Sequence, residues 1–153
     1  MSTPFTILNP SYRELIVEKL VGQRFMHHIG FQLDRIEPGL VTAGMPIEAH
    51  ILQQTNFVHG GATATLADLV MGFAAYTLVD VGQVVLTADL RISYLNPGQG
   101  DKITAKGFVI KAGRKMIFCE GEVYCYKDGI ETMIAKASAT MSVVNLSEIG
   151  SRV

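Results

Sequence analysis

The sequence predicts an α+β domain in which one long helix packs on a curved antiparallel sheet. Three observations carry this. A proline-free, mostly apolar run over residues 60–79 has the length of a helix and is opened by a pair of glycines. After residue 82, period-two alternation dominates, interrupted by turn-forming groups. The resulting order is helix, two strands, long helix, four strands, rather than the regular strand–helix alternation of a parallel sheet.

Asn9 or Ser11 can cap a first helix, with Pro10 tolerated near its start, and Leu15, Ile16, Lys19 and Leu20 give it a stripe before Gly22 ends it. Two extended segments at about 30–37 and 40–47 flank Pro38-Gly39 and read as a hairpin. The central helix runs from near Gly60 to about Val79, and Asp80-Val81-Gly82 closes it. Next, Leu86, Ala88, Leu90, Ile92 and Tyr94 fall on one side of a half-buried strand, with Thr87, Asp89, Arg91 and Ser93 on the other. Turns at 96–100, 112–113 and 127–129 introduce strands at about 102–111, 115–126 and 131–144, so four consecutive antiparallel strands are expected. Ala135, Ala137 and Ala139 share a face of the last one, which leaves room for a helix to lie close. The tail, residues 145–153, is polar enough to fray.

The 153 residues suit one domain, with an N-terminal helix at about 10–22 and a core at about 25–144. A content of 48% hydrophobic and 18% charged residues excludes a disordered chain and favours an oligomer. The net charge of −1 comes from interspersed signs, which argues against nucleic acid as a partner. No leader pattern and no membrane-spanning apolar run is present, so a cytoplasmic protein is expected. Cys119 and Cys125 lie six residues apart on one face of a strand and read as reduced, buried thiols. No metal is expected, because His27 and His28 are adjacent, and His50 and His59 lack ligand-spaced companions.

The chemistry concentrates in Asn56-Phe57-Val58-His59-Gly60-Gly61 and the helix that follows. Glycines allow close backbone approach, and the first N–H groups of a helix lack intrahelical acceptors. Asp68 is the one carboxylate in the helical run, where burial would normally exclude it. Its helical neighbours are Ala64, Thr65, Met71, Gly72 and Ala75, mostly small, while Leu66, Leu69, Val70 and Phe73 form an opposite stripe that can anchor the helix to the sheet. Spacing alone leaves two readings open: a ligand channel beside a working carboxylate, or a helix–helix contact with Asp68 bonded to a hydroxyl such as Thr65. His59 reads as a capping and positioning group rather than a base. Gly60 and Asp68 are eight residues apart, roughly 12 Å along the axis at about 1.5 Å per residue. If both serve one reaction, Asp68 must therefore come from a second, antiparallel copy of the helix.

These residues resemble the hotdog-fold acyl-CoA thioesterases, in particular the phenylacetate-pathway (PaaI-like) branch of the 4-hydroxybenzoyl-CoA thioesterase superfamily, over about residues 25–144. The matching positions are Gln53, His59-Gly60-Gly61, Asp68 within Leu-Ala-Asp, and Thr87, with Ile92-Ser93-Tyr94-Leu95-Asn96-Pro97 also similar. Gln53 departs from the branch, which usually has Asn there, and is more like the aroyl-CoA branches that pair Gln with Glu. Asn56 is the second candidate for that role.

The resemblance implies hydrolysis of an aryl or medium-chain acyl-CoA to free acid and CoA, without a cofactor, by a homodimer or a dimer of dimers. Gly60 N–H would polarise the carbonyl, Asp68 of the partner subunit would act as base or nucleophile, and Gln53 and Thr87 would orient water. Asn56, Gly61 and Gly72 fall to substrate binding, Arg114 and Lys115 to the CoA phosphates, and Arg91 is a further candidate for them. The alternatives are a non-catalytic hotdog module that binds acyl-CoA or another apolar ligand, a hotdog dehydratase, whose spacing matches poorly, and a purely structural oligomer.

Overall fold

The computed structural model describes residues 5–150. Helix α1 (Tyr12–Val21) starts after Asn9, whose Oδ1 accepts from the Ser11 N–H at 3.0 Å, and buries Tyr12 and Ile16. A short helix α2 (Arg24–His28), absent from the sequence expectation, follows directly. The hairpin forms as expected from β1 (Gln32–Glu37) and β2 (Leu40–Pro46). A single 3₁₀ turn (Ala49–Ile51) then leads to the long helix α3 (Gly60–Tyr76). The chain ends in β3 (Gln83–Tyr94), β4 (Lys102–Ala112), β5 (Met116–Lys127), β6 (Ile130–Asn145) and a one-turn helix α4 (Leu146–Ile149). Where the sequence suggested a fraying tail, residues 146–149 instead form a short helix, and residues 151–153 lie outside the described residues.

All six strands form one antiparallel sheet in the order β1-β2-β4-β5-β6-β3. This corrects the run of four consecutive strands. β3 does not pair with β4 but crosses to the far edge beside β6, while β4 pairs with β2. The crossing lets the sheet wrap α3, which packs against β2, β3, β4, β5 and β6. This is the hotdog arrangement.

The close approach of helix to sheet is set by glycine. Gly107, Gly121 and Ala137 lie in register across β4, β5 and β6. A Cβ on Gly107 would sit 2.4 Å from the Val70 carbonyl carbon, and one on Gly121 would meet Met71 at 3.2 Å. The alanine face expected of β6 is buried, at Ala135, Ala137 and Ala139, but α3 comes closest to the sheet at Gly107 of β4.

Two sequence expectations for α3 need correction. The helix stops at Tyr76 rather than about Val79, because the buried Thr77 hydroxyl donates to the Ala74 carbonyl at 2.6 Å and accepts from the Gly39 N–H at 2.7 Å. A side chain that offers the backbone such partners competes with helix continuation, and here it also ties the helix end to the β1–β2 turn. The anchoring stripe is Leu66, Ala67, Val70, Met71, Ala74 and Ala75, all fully buried, whereas Leu69 and Phe73 are only partly buried and line the same cavity as Asp68.

Candidate active site

β3 carries a feature that alternation could not show. Thr87 pairs with Met141 and Asp89 pairs with Thr140, which leaves Ala88 as an unpaired extra residue. A bulge shifts the facing of every residue on one side of it. Beyond it, Leu90, Ile92 and Tyr94 share one face as predicted, and it is the face towards α3. Before it the faces are exchanged: Thr87 turns towards α3, while Leu86 is 53% exposed. The expected grouping of Leu86 with Leu90 is therefore wrong, and so is the grouping of Thr87 with Asp89 on the opposite side.

The consequence is a hydrogen bond. The Thr87 hydroxyl donates to Asp68 Oδ1 at 2.7 Å. Asp68 itself is half-buried rather than sealed in the core, so its charge keeps water on one side and needs no buried counter-ion. Its partner is Thr87 and not Thr65. The two line an open cavity of about 260 Å³ with Leu69, Gly72 and Phe73 from α3, Val84 and Val85 from β3, and Met26 from α2. Gly72 leaves this wall open, since a Cβ there would meet nothing within 4 Å.

A second cavity, of about 410 Å³, holds Gln53, Gly60, Thr63 and Tyr94. Here His59 caps α3, its Nδ1 accepting the Gly61 N–H at 2.9 Å, which is the positioning role expected of it. The Tyr94 hydroxyl donates to the Gly60 carbonyl at 2.8 Å. The peptide joining Gly60 to Gly61 is thus held at both its C=O and its N–H. Among the described residues the Gly60 N–H itself has no acceptor, which leaves it free for a ligand. A Cβ on Gly60 would come within 3.3 Å of the Tyr94 ring. Gln53 enters the cavity with its amide nitrogen donating to Thr55 Oγ1 at 2.9 Å. Asn56, at φ 60°, sits at the tip of the tight loop closed by the Gln53 and Phe57 backbones and is not among the lining residues.

The structure thus divides the predicted residues into two groups on one chain: Asp68, Thr87 and Gly72 in one cavity, Gln53 and Gly60 in the other, with His59 and Gly61 building the turn. It does not bring the predicted cations to either. Arg91 pairs with Ser138 on the sheet face away from α3. Arg114 lines a separate cleft with Asp80 and Gln83, and Lys115 lies in the same β4–β5 turn, its carbonyl accepting from Val143 N. Sequence reasoning missed Lys19 of α1, Gln23 between the two helices and Met26 of α2 as walls of the Asp68 cavity, because nothing in their own segments shows which part of the fold α1 and the short α2 pack beside. It placed Tyr94 on the correct face without seeing what the hydroxyl does.

The thiols behave as expected. Cys119 and Cys125 are both free and buried on one face of β5. The Cys119 thiol donates to the Met71 carbonyl at 3.7 Å, and burial pushes it up to about 12 and Cys125 to about 11. No helix among the described residues is long and apolar enough to cross a membrane.

Residues 55–132 match the family model of the thioesterase superfamily. The proofreading thioesterase EntH of Klebsiella pneumoniae is 31% identical over 97 residues, covering 63% of this chain and 71% of that protein. The medium/long-chain acyl-CoA thioesterase YigI of Escherichia coli is 27% identical over 151 residues, covering 82% of this chain and 92% of that one. Among solved structures, a thioesterase family protein from Silicibacter pomeroyi superposes with a TM-score of 0.86 at 30% identity, covering 88% of this chain and 98% of that chain. Fold, motif and matches agree: the chain belongs to the thioesterase superfamily.

Proposed function

We propose that the protein hydrolyses acyl-CoA thioesters to the free acid and CoA, and that it does so as a homodimer or a dimer of such dimers, with each site shared between two chains. The observation that carries this is the separation of a polarising Gly60 N–H and a Thr87-held Asp68 into different cavities of one subunit. β3 supports the pairing: it is a twelve-residue edge strand whose outer rim has no strand partner among the described residues, a feature that proteins usually cover. The names of relatives such as EntH and YigI support the reaction type.

In this reading the thioester carbonyl accepts from Gly60 N–H, worth about 3 to 4 kcal/mol to a developing oxyanion. Asp68 of the partner subunit takes a proton from water as the oxygen adds to the carbonyl carbon. Collapse breaks the C–S bond, and the proton passes to the departing thiolate. Thr87 fixes the carboxylate, and the Gln53 amide orients water or the substrate carbonyl. The cytoplasm is the compartment we assign, since two buried reduced thiols suit it.

The test follows free thiol from a panel of aryl- and alkyl-CoA thioesters. Asp68→Asn should cost about 10²- to 10⁴-fold in kcat. Near-normal thiol release from that variant would end the catalytic assignment, and wild-type protein that binds the panel without releasing thiol would favour a binding module. Co-expressing Asp68→Asn with Gln53→Ala chains should restore activity that neither has alone, because a mixed dimer contains one site with both defects and one intact. No restoration would place both groups in a single subunit's site.

A further inference from the structure

The Asp68 cavity continues along α3 as far as Tyr76, about 12 Å farther on at about 1.5 Å per residue. Its middle is apolar, walled by Phe73, Val84 and Val85. At the Tyr76 end the chemistry changes. Lys19, in the last turn of α1, places its ammonium 5.3 Å from the centre of the Tyr76 ring. Gln23, just past the end of α1, joins it on the cavity wall. Lys19 is half-buried and forms no ion pair with any described residue. Burial and the nearby Glu18 charge hold the Tyr76 hydroxyl protonated, so it is a donor.

A cation partly out of water and without an ion-pair partner, set over the Tyr76 ring and sharing a cavity wall with the Gln23 amide beyond an apolar stretch, is a receptor for a carboxylate. Resting on the thioesterase reading above, we propose that this end of the cavity binds a carboxylate at the distal end of the acyl group. The preferred substrates are then CoA thioesters of medium-length α,ω-dicarboxylic acids, with the thioester carbonyl at Asp68 and the free carboxylate at Lys19. The stretch between the two polar ends suits the methylenes that such a chain would bury there.

The experiment compares octanoyl and octanedioyl thioesters, each carried on CoA and on N-acetylcysteamine, which lacks the phosphates. Wild type should favour octanedioyl in kcat/KM by about tenfold on both carriers, as a charge-assisted contact at a partly exposed site would give. Lys19→Met should bring the ratio close to one, and Lys19→Arg should retain it. If Lys19→Met instead weakens both acyl groups on CoA and neither on N-acetylcysteamine, the ammonium serves the phosphates and the proposal is overturned. An unchanged ratio in Lys19→Met overturns it as well, leaving Lys19 as cover for the Tyr76 ring. Titration calorimetry with non-hydrolysable thioether analogues reads the same preference without turnover. Absence of thiol release thus defeats the thioesterase reading, while equal binding of the two analogues defeats this one.

Discussion

The Tyr94 hydroxyl donates to the carbonyl oxygen of Gly60 at 2.8 Å, gripping the first peptide of α3 from the sheet side while His59 grips it from the loop side. The unpaired Gly60 N–H belongs to the preceding peptide, and this grip fixes the Gly60 backbone from which it projects. Tyr94→Phe removes one neutral hydrogen bond, about 1 kcal/mol, and should lower kcat about fivefold with KM nearly unchanged. Steady-state kinetics on one thioester decides it. A rise in KM at constant kcat would assign the hydroxyl to substrate binding instead.

Deleting Ala88 takes out the extra residue while leaving Thr87 opposite Met141 and Asp89 opposite Thr140. Plain alternation then keeps Thr87 facing α3 without a bulge. The expected outcome is a folded protein, by circular dichroism and thermal melting, that keeps most of its hydrolytic rate. Thr87→Val, which removes the hydroxyl bonded to Asp68, should instead lower kcat about tenfold. Full activity in Thr87→Val would mean that the Thr87 contact with Asp68 is dispensable.

Gly107→Ala tests the helix–sheet approach. Its methyl would lie 2.4 Å from the Val70 carbonyl carbon, against backbone that has no room to retreat. A loss of about 1 to 3 kcal/mol is expected, read as a lower midpoint in urea. Gly129→Ala, with nothing near the added carbon but a φ of 77°, gives the comparison of pure backbone strain.

The two buried thiols set an alkaline limit. In the unfolded chain Cys119 ionises near 9.0, whereas in the fold it holds its proton to about 12. Between those values the unfolded state binds fewer protons than the folded one, so stability falls as pH rises. Denaturation midpoints should be level below pH 9 and decline above it, less steeply in Cys119→Ala. A thiol reagent should find neither cysteine in the native protein at pH 8.

What the sequence revealed depended on whether a signal was local. The long helix was legible because its glycines, its apolar run and the absence of proline all sit within residues 60–79. The hairpin and the last three strands were legible from their turns. The position of β3 beside β6 was not, because nothing in a strand's own residues names its neighbour. The bulge at Ala88 was invisible for a related reason: an extra residue leaves composition untouched and shows itself only against the partner strand. Gly107 and Gly121 looked like ordinary strand glycines until register put them side by side beneath α3. For the candidate site, the motif identified Asp68, Gly60, Gln53 and Thr87, and the helical wheel placed Gly72 by the carboxylate. The wheel misassigned Leu69 and Phe73, since an α3 wrapped on several sides by the sheet has no single buried stripe.

The division of Asp68 and Gly60 between separate hollows has a bearing on control. On the shared-site reading, a lone polypeptide fresh from synthesis has no competence to cut, and turnover per molecule climbs with abundance until every chain has found its mate. Dilution would then silence the catalyst without any inhibitor, and a cell holding few copies would keep its thioesters intact.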